Sequence, residues 1–532
     1  MSRLRVVVLC VLTVLASVAS CTPPAHAPTA TLTFAAPTRE ADVYATAPTP
    51  AVNTGDPVVQ IAENAILDAA KMRKLTLTAD ARLTELAAWV ATQRLHNVTP
   101  NGEAYDFAAS YLGLTGPTPQ MVAVSFEGDD SLAAQLAARL ARMPTNIELR
   151  RYGRAVLSYG QQNIAVLLIT TADVNLSQPV PKKVHVGQTI HITGSVVAPL
   201  NSVHSSVTGP DGKVEDSAEM PQTFDIPFTP AVAGVHKVEL LADGPNGPDV
   251  VANFPIYVDV DEPHAFTQVG NAGDSGSVAE TAELMFKKLN ESRAQAKLPP
   301  LQKFEPLVKI ATANSEDMAD NHFFAHVSPT TGDVGDRVKR AGLELGLVGE
   351  NIALGGSANE MHTGLMGSPG HRGAILSKDY THVGIGVAYE GDGTYVATEV
   401  FARIPPTLDL QAAADSALVV INQTRAKKGL APLVLDKAMS ELATAGAVAY
   451  FKADPPTKDG AAAAAKAVLT ERSKTMRIER EWSWLSAAIS GVDDLSHADF
   501  DDAASKTVGI GFAQGPRGGL PNALVVVIIL QR

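Results

Sequence analysis

The sequence predicts a multidomain α+β protein in which an all-β domain lies between domains built from helices and strands. At 532 residues the chain is too long for a single hydrophobic core. Apolar residues recur with helical spacing over residues 58–90, and two apolar runs follow at 155–157 and 164–169, which indicates a β-hairpin. Residues 184–197 alternate with period two instead, which is typical of a half-buried strand.

The composition is that of ordinary globular protein, with 19% charged and 45% hydrophobic residues. The formal net charge is -13, and the pI is near 5.5. Because binding to a phosphate backbone requires a basic surface, this acidic balance argues against a nucleic-acid partner.

Residues 1–20 have the pattern of a targeting segment. Two early arginines precede an apolar run at 6–14, and Val18-Ala-Ser-Cys21 follows. This ending resembles a bacterial lipoprotein signal, which implies cleavage before Cys21, acylation of Cys21 and attachment to the outer membrane or cell surface. An ordinary secretory signal is the alternative. Since Cys10 lies in the removed segment, we expect no internal disulfide and no thiol catalysis. No later apolar run reaches about 18 residues, so no membrane-spanning helix is expected.

Changes in composition divide the rest of the chain. A Pro-, Ala- and Thr-rich stretch predicts a disordered tether. Short alternating strands with Gly, Pro and Asp turns are typical of an immunoglobulin-like sandwich. The predicted segments are 21–54 for the tether, 55–171 for an N-terminal α+β domain, 172–262 for the β-sandwich, 263–277 for a linker, 278–404 for a central domain and 405–532 for a C-terminal domain.

Residues 321–401 carry short polar motifs separated by loops. Five of the 13 histidines lie in this stretch, close in sequence to carboxylates. Residues so far apart in sequence meet only through a fold, so the stretch predicts a built pocket. With flanking motifs the set is Asn290-Glu-Ser-Arg293, Leu298-Pro-Pro-Leu301, Ala325-His-Val-Ser-Pro329, Gly349-Glu-Asn-Ile-Ala353, Ser368-Pro-Gly-His-Arg372 and His382-Val-Gly-Ile-Gly386.

In the order and spacing of these motifs, residues 275–403 resemble a CAP domain, the superfamily of cysteine-rich secretory proteins, antigen 5 and pathogenesis-related proteins. The similarity is to the bacterial secreted branch, which lacks the cysteines. It implies an α-β-α sandwich with a polar cavity. By the same resemblance, His326 and Glu350 match the first His and first Glu of that cavity.

In animal and plant members a second Glu and a second His complete a tetrad that can hold a divalent metal. Here Leu365 and Ser368 stand where a Trp and that Glu are expected, and Asp379 stands where the His is expected. His371 is then the candidate second imidazole.

From the residues themselves, two imidazoles and one carboxylate are a plausible Zn²⁺ set with an open position, formed by His326, Glu350 and His371. A polar network that satisfies loop backbone is the alternative.

Four further residues are candidates for supporting roles: Asn351, Arg372, Asp379 and Glu399. Asn351 is expected to bond loop backbone, and Arg372 to pair with a carboxylate such as Asp379. Glu399 is expected to supply another oxygen ligand to the metal or a hydrogen bond to one of the metal-ligating side chains. His322 is expected at a helix end or on the surface, because Ser328-Pro329 indicates that the helix stops near His326.

The C-terminal segment repeats motifs of the central one. Ile421-Asn-Gln-Thr-Arg425 matches Leu289-Asn-Glu-Ser-Arg293, and Val508-Gly-Ile-Gly511 matches Val383-Gly-Ile-Gly386. Lys458 stands where His326 is, so we expect a degenerate CAP-like copy without the pocket. In the N-terminal domain Leu77, Leu83 and Ala87 can be aligned with Leu301, Leu307 and Ala311, which suggests a third copy; an unrelated α+β domain is equally compatible.

Three functions are compatible with this pattern. The first is an extracytoplasmic binding module for a lipid, glycan or protein ligand in the His/Glu-lined cavity. The second is a metal-dependent hydrolase of peptides or cell-wall material with His326, Glu350 and His371 around the metal. The third is a structural spacer. The sequence contains no Gly-x-Ser-x-Gly and no His-Glu-x-x-His motif, which favours binding over catalysis. No cofactor is required; a divalent metal is an option.

Overall fold

The computed structural model describes residues 31–51, 55–96, 98–117, 119–127, 131–141, 143, 149–159, 162–269, 276–391, 393–453, 458–476 and 481–532. The predicted signal segment and Cys21 lie outside the described residues. Within these ranges no helix combines the length and the apolar character needed to cross a membrane.

The predicted tether is wrong for residues 31–51, which are folded against the domains. They contain strands β1 (Thr31–Ala35) and β2 (Val43–Tyr44). Strand β1 pairs antiparallel with a strand at Ala265–Val269, inside the segment predicted to be a linker, so that prediction is wrong there as well. Phe34 and Tyr44 are buried at 1% and 0% exposure, and this apolar burial holds a Pro-rich segment that composition alone marks as disordered.

The N-terminal domain packs helices on a four-stranded sheet. Asp56 and Asp80 cap its first two helices by accepting hydrogen bonds from backbone N–H groups. The predicted hairpin is confirmed as an antiparallel pair. The elements are α1 (Pro57–Met72), β3 (Thr78–Ala79), α2 (Ala81–Leu95), α3 (Gly102–Tyr111), β4 (Gln120–Phe126), α4 (Leu132–Leu140), β5 (Arg151–Tyr159) and β6 (Gln162–Thr170).

The second domain consists of strands, as predicted for residues 172–262. A three-stranded and a six-stranded sheet enclose one hydrophobic core that includes Ile192, Phe224, Leu240 and Phe254. The strands are β7 (Val174–Leu176), β8 (Val180–Pro181), β9 (Lys183–Val184), β10 (Ile190–Val196), β11 (Ser202–Thr208), β12 (Val214–Asp216), β13 (Met220–Pro221), β14 (Thr223–Phe228), β15 (Gly234–Gly244), β16 (Gly247–Val258) and β17 (Ala265–Val269).

The central domain is an α-β-α sandwich. Helices α5 and α8 pack with Met285, Leu289 and Met361 on one face of the sheet, and helix α6 covers the other face with Leu307 and Ile310. The elements are α5 (Val278–Gln295), β18 (Gln302–Lys303), α6 (Glu305–Asn321), α7 (Val334–Arg340), β19 (Val348–Gly355), α8 (Ala358–Gly367), α9 (Pro369–Ile375), β20 (His382–Gly391) and β21 (Thr394–Ala402).

The C-terminal domain repeats the order of strands and of the first three helices, and it has one 3₁₀ helix where the central domain has α8 and α9. Its helices and sheet enclose two apolar clusters, around Ile421 and Phe500 and around Leu442 and Leu469. The elements are α10 (Leu410–Lys427), β22 (Val434–Leu435), α11 (Lys437–Phe451), α12 (Lys458–Thr475), β23 (Trp482–Ile489), a 3₁₀ helix (Val492–His497), β24 (Thr507–Arg517) and β25 (Leu520–Gln531).

The three helix-containing domains share one sheet topology. The strand orders are β3-β5-β6-β4, β18-β20-β21-β19 and β22-β24-β25-β23, and in each sheet the first pair is parallel and the others antiparallel. The predicted architectural repeat at the C-terminus is therefore confirmed. In each sheet a glycine lets a helix backbone approach the strand: Gly153 against Leu83, Gly384 against Leu307 and Gly509 against Met439.

Candidate functional site

The structure brings His326, Glu350 and His371 together from three separate segments. His326 follows α6, Glu350 lies in β19 and His371 lies in α9. The Nδ1 atom of His326 lies 3.1 Å from Oε1 of Glu350. The ring planes of His326 and His371 are inclined by 26° to each other, with centroids 6.4 Å apart. The three residues form one polar cluster.

The second oxygen of Glu350 is bonded to Arg337, a residue that the sequence analysis missed. Arg337 lies in α7 and also donates a hydrogen bond of 2.6 Å to the carbonyl oxygen of Gly332. The side chains of Arg337 and Glu350 are only 5% and 3% exposed. Both carboxylate oxygens of Glu350 are thus committed to protein donors.

These residues do not fit the predicted metal set. Each carboxylate oxygen of Glu350 already accepts one hydrogen bond, from His326 or from Arg337, and the Arg337 guanidinium supplies the positive charge that a cation would bring. Among the residues that the structure describes, no group of three or more His, Cys, Asp and Glu side chains is arranged to hold a metal ion. The cluster is a hydrogen-bonded network with two imidazoles at its surface.

A hydrogen-bonded chain links His371 to the β-domain. Nδ1 of His371 lies 2.7 Å from Oγ of Ser368, and Ser368 bonds the carboxyl group of Glu239 in β15. Gly370 donates its N–H to Oε1 of Glu239 at 2.9 Å. An ionised Glu239 only accepts, so Ser368 donates to it and Nδ1–H of His371 donates to Ser368. The lone pair of His371 is then on Nε2.

Burial shifts the pKa values of the two titratable residues in this hydrogen-bonded chain. It lowers the pKa of His371 to about 3, with the nearby His326 as a second cause, so His371 is neutral at physiological pH. Burial is also the largest influence on Glu239 and leaves its pKa raised overall, although the hydrogen bonds from Ser368 and Gly370 lower it in part. A neutral imidazole with a defined tautomer is a hydrogen-bonding group for a ligand.

Asn351 and Glu399 support the cluster from behind. Asn351 donates its side-chain N–H groups to the carbonyl oxygen of His371 at 3.2 Å and to Oε2 of Glu399 at 3.1 Å. Asn351 therefore bonds backbone, but the carbonyl belongs to helix α9 and not to a loop as predicted. Glu399 is fully buried, and burial raises its pKa to about 7.

Arg372 and Asp379 do not pair as predicted. Nε of Arg372 donates to the carbonyl oxygen of Gly212 in the β-domain at 3.3 Å. Asp379 is exposed, and its backbone N–H bonds the hydroxyl of Ser377. The prediction failed because the partner of Arg372 belongs to another domain, which spacing along the chain does not reveal.

His322 and Leu365 have structural positions. His322 ends α6 in the left-handed conformation, with φ 52°, and is exposed, as predicted for a helix end. Leu365 is 3% exposed and belongs to the apolar cluster between α5, α8 and the sheet.

The polar cluster faces a cavity of about 1720 Å³ between the central, N-terminal and β-domains. The turn between β15 and β16 reaches the cluster, and Val327 donates its N–H to the carbonyl oxygen of Asn246 at 3.0 Å. A Cβ added to Gly247 would lie 2.8 Å from Cβ of His326. A ligand of His326 and His371 would therefore contact the β-domain as well.

Two residues of this site were missed for different reasons. Arg337 lies inside the motif-rich stretch 321–401, so its position was a signal that could have been used. Glu239 lies in a different domain, and its position between Val238 and Leu240 of strand β15 was the signal that could have been used.

The α-β-α sandwich and its buried His/Glu cluster define a class of domain. The profile of the cysteine-rich secretory protein family, CAP, matches residues 286–401. The chain therefore carries a CAP domain of the bacterial type.

Two relatives from Bacillus subtilis (strain 168) match this region. "Uncharacterized protein YkwD" is 39% identical over 116 residues, which is 22% of this chain and 45% of that protein. "Uncharacterized membrane protein YlbC" is 39% identical over 102 residues, which is 18% of this chain and 29% of that protein. The chain spans less than half the length of either relative.

Solved structures match parts of the chain with low TM-scores. An extracellular protein containing an SCP domain from Bacillus anthracis is 25% identical and covers 34% of this chain and 64% of that chain, with a TM-score of 0.22. An outer surface protein of Borrelia burgdorferi is 19% identical and covers 25% of this chain and 98% of that chain, with a TM-score of 0.23.

Proposed function

We propose that this protein is an extracytoplasmic binding module whose CAP domain takes a ligand through the cavity at His326, Glu350 and His371. One observation carries the proposal. The same sheet is built three times, and within the described residues the central copy has polar side chains where the other two have apolar ones.

Strand register identifies the equivalent positions. Glu350 pairs with Val400, which pairs in turn with the close-approach glycine Gly384. In the N-terminal sheet Met121 pairs with Leu168, which pairs with the glycine Gly153. In the C-terminal sheet Trp484 pairs with Ile529, which pairs with Gly509. Met121 and Trp484 are therefore the equivalents of Glu350.

The pair behind the site differs in the same way. Asn351 lies opposite Glu399 in the central sheet. At the equivalent positions Val122 lies opposite Leu167 in the N-terminal sheet, and Leu485 lies opposite Ile528 in the C-terminal sheet.

A buried ionic network contributes little net stability to a fold, because desolvation of the charged groups offsets their attraction. Replacing buried ionic groups by packed apolar ones is often neutral or stabilising. Since two copies are built with apolar residues at these positions, the fold does not require Glu350, Asn351 and Glu399. Their presence supports a role in ligand binding, and it counts against a structural spacer.

Binding is favoured over metal-dependent hydrolysis. The metal set is disfavoured because both oxygens of Glu350 accept hydrogen bonds and the Arg337 guanidinium already balances its charge. His371 and His326 still offer Nε2 atoms to a ligand, which requires no metal. Lipid, glycan and protein ligands remain the candidate classes.

The proposal includes the location and the flanking domains. We place the protein in the cell envelope, attached through acylated Cys21, on the strength of Val18-Ala-Ser-Cys21. The shared topology supports treating the N- and C-terminal domains as degenerate CAP-like copies, and the two-sheet core supports an immunoglobulin-like origin for residues 172–262. Replacing Cys21 with Ala should move the protein from the membrane to the soluble fraction; retention with the membrane would contradict the anchor.

Calorimetric titration of the mature chain tests the function. The probes are chitotetraose, short-chain phosphatidylglycerol and pentalysine. Binding of one probe should be lost in His326→Ala and retained in His497→Ala, whose histidine is exposed on the C-terminal domain. Binding that survives His326→Ala, or zinc-dependent cleavage of a cell-wall peptide that His326→Ala abolishes, would contradict it.

A further inference from the structure

The cavity between the domains has an acidic lining. The described residues around it include ten Asp and Glu side chains, three Arg and no Lys. Two of the ten have a cation beside them from outside this lining, Arg337 at Glu350 and Lys237 at 4.0 Å from Asp106, and the acids still outnumber the cations. A cleft with low-dielectric walls concentrates the field of such charges. Its volume of about 1720 Å³ exceeds that of a small-molecule pocket and has room for a peptide segment.

The uncharged groups at the site are also hydrogen-bond acceptors. Ionised Glu350 can only accept, so His326 donates through Nδ1 and, when neutral, presents the lone pair on Nε2. The chain through Ser368 leaves His371 with a lone pair on Nε2 as well. Two neighbouring imidazoles therefore offer acceptors and no donor in their neutral forms.

The β-domain adds acceptors from the opposite wall. Asn253 donates its amide N–H to Oε2 of Glu239 at 3.2 Å, which leaves its Oδ1 buried and without a donor among the described groups. A buried acceptor without a donor is destabilised. This oxygen exposes less than 1 Å², so a ligand N–H bonds it once the Asn253 side chain turns toward the cavity. Asp249, at the start of β16, lies near Asp173 and His326.

The geometry points to a cationic peptide as the ligand, bound between the β15–β16 hairpin and the CAP domain with its ammonium or guanidinium groups on these acceptors. The inference rests on the proposed function and names the ligand class of the same site. It assigns the β-domain a direct part in recognition, since Asn253 and Asp249 belong to that domain.

Gly364 provides a variant that changes the cavity without disturbing the fold. It lines the cavity on helix α8, and a Cβ atom added there meets no atom within 4 Å. Gly373 on helix α9 is equally open but does not line the cavity, so it is the matched control. Both glycines are in helices, where Lys and Glu are better helix formers than Gly.

The test is fluorescence anisotropy of labelled pentalysine with the mature full-length chain, and chitotetraose as a competitor. Gly364→Lys should weaken binding about tenfold and Gly364→Glu should preserve or strengthen it, because one charge is added near the bound cation. Gly373→Lys and Gly373→Glu should each stay within about twofold.

The outcomes separate the two proposals. Equal effects of the two Gly364 variants, or equal effects at Gly364 and Gly373, would overturn the cationic peptide. If chitotetraose binds instead and His326→Ala abolishes that binding, the peptide is wrong and the binding module stands. If no probe responds to His326→Ala or to either Gly364 variant, both proposals fail.

Discussion

The central and C-terminal domains hold their loops with the same hydrogen bonds, and they differ in the side chains that their sheets carry at the position of the polar cluster. Asn290 exchanges two hydrogen bonds with the backbone of Leu301, at 2.8 and 3.2 Å. Asn422 exchanges the same two bonds with Leu433, at 2.7 and 3.0 Å. This motif residue therefore serves the scaffold in both copies.

A buried arginine performs a second shared task. Arg293 and Arg425 are 1% and 0% exposed, and each ties a loop after the first helix to a loop before the hairpin. The acceptors are the carbonyl oxygens of Pro299, Ile375 and Ser377 for Arg293, and of Ala431, Phe500 and Asp502 for Arg425.

The two domains differ where the central one has its polar cluster. Trp484 replaces Glu350, and Ile528 replaces Glu399. The third helix of the two domains also differs in length, since α12 has 18 residues and α7 has 7. Motifs present in both copies report on the fold, and residues that only the central copy has report on the site.

The largest effect is expected when the buried arginine that the two domains share is removed. Arg293→Ala and Arg425→Ala should each destabilise their own domain by about 3–5 kcal/mol, because carbonyl groups lose their donors and a cavity opens. Denaturant unfolding monitored domain by domain measures this. A neutral effect in either copy would show that the two networks are not equivalent.

Glu350→Gln should be the next largest change. It leaves Arg337 buried beside a neutral partner, which we expect to destabilise the central domain by about 3 kcal/mol. Replacing the pair together, with Glu350→Met and Arg337→Met, should recover most of the loss. Denaturant midpoints compare the two, and failure of the double variant to recover would contradict a dispensable ion pair.

Glu399→Gln tests the ionisable group that Ile528 replaces in the C-terminal domain, because its effect on stability should depend on pH. The pKa of Glu399 is raised to about 7 in the folded state, so its protonated form is favoured there. The stability of the wild type is then fully present below about pH 4.5 and falls as pH rises to about 7. The variant should be more stable by up to about 3 kcal/mol at pH 8 and equal near pH 4.

Unfolding curves at pH 4, 6 and 8 check this expectation. Glu441→Gln, on an exposed position of the C-terminal domain, is the control and should show no such difference. An equal gain at every pH would mean that the charge of Glu399 is not the cause.

Ser368→Ala should have the smallest effect on stability, about 1 kcal/mol, because it removes one hydroxyl from the chain to Glu239. Its clearer consequence is at His371, which loses the acceptor for Nδ1–H. ¹⁵N NMR of the His371 ring should change from a single tautomer to a mixture. An unchanged spectrum would contradict the hydrogen-bonded chain.

Much of the scaffold could be predicted from local pattern. The hairpin after residue 151, the strands of the β-domain and the C-terminal repeat all follow from periodicity and turn residues, which are properties of neighbours in sequence. The folded segment around Phe34 was missed because its stability comes from packing against Trp89, with ring centroids 5.7 Å apart. Composition carries no information about a contact of that kind.

By itself, the sequence determined the N-terminal hairpin, the all-β character of the second domain, the internal repeat and the candidate grouping of His326, Glu350 and His371. Only the tertiary structure decided that Arg337 takes the place of a cation at Glu350, and that Glu239 reaches His371 through Ser368. The physical reason is distance along the chain. Periodicity and capping act over a few residues, whereas hydrogen bonds between separate domains exist only after each domain has packed.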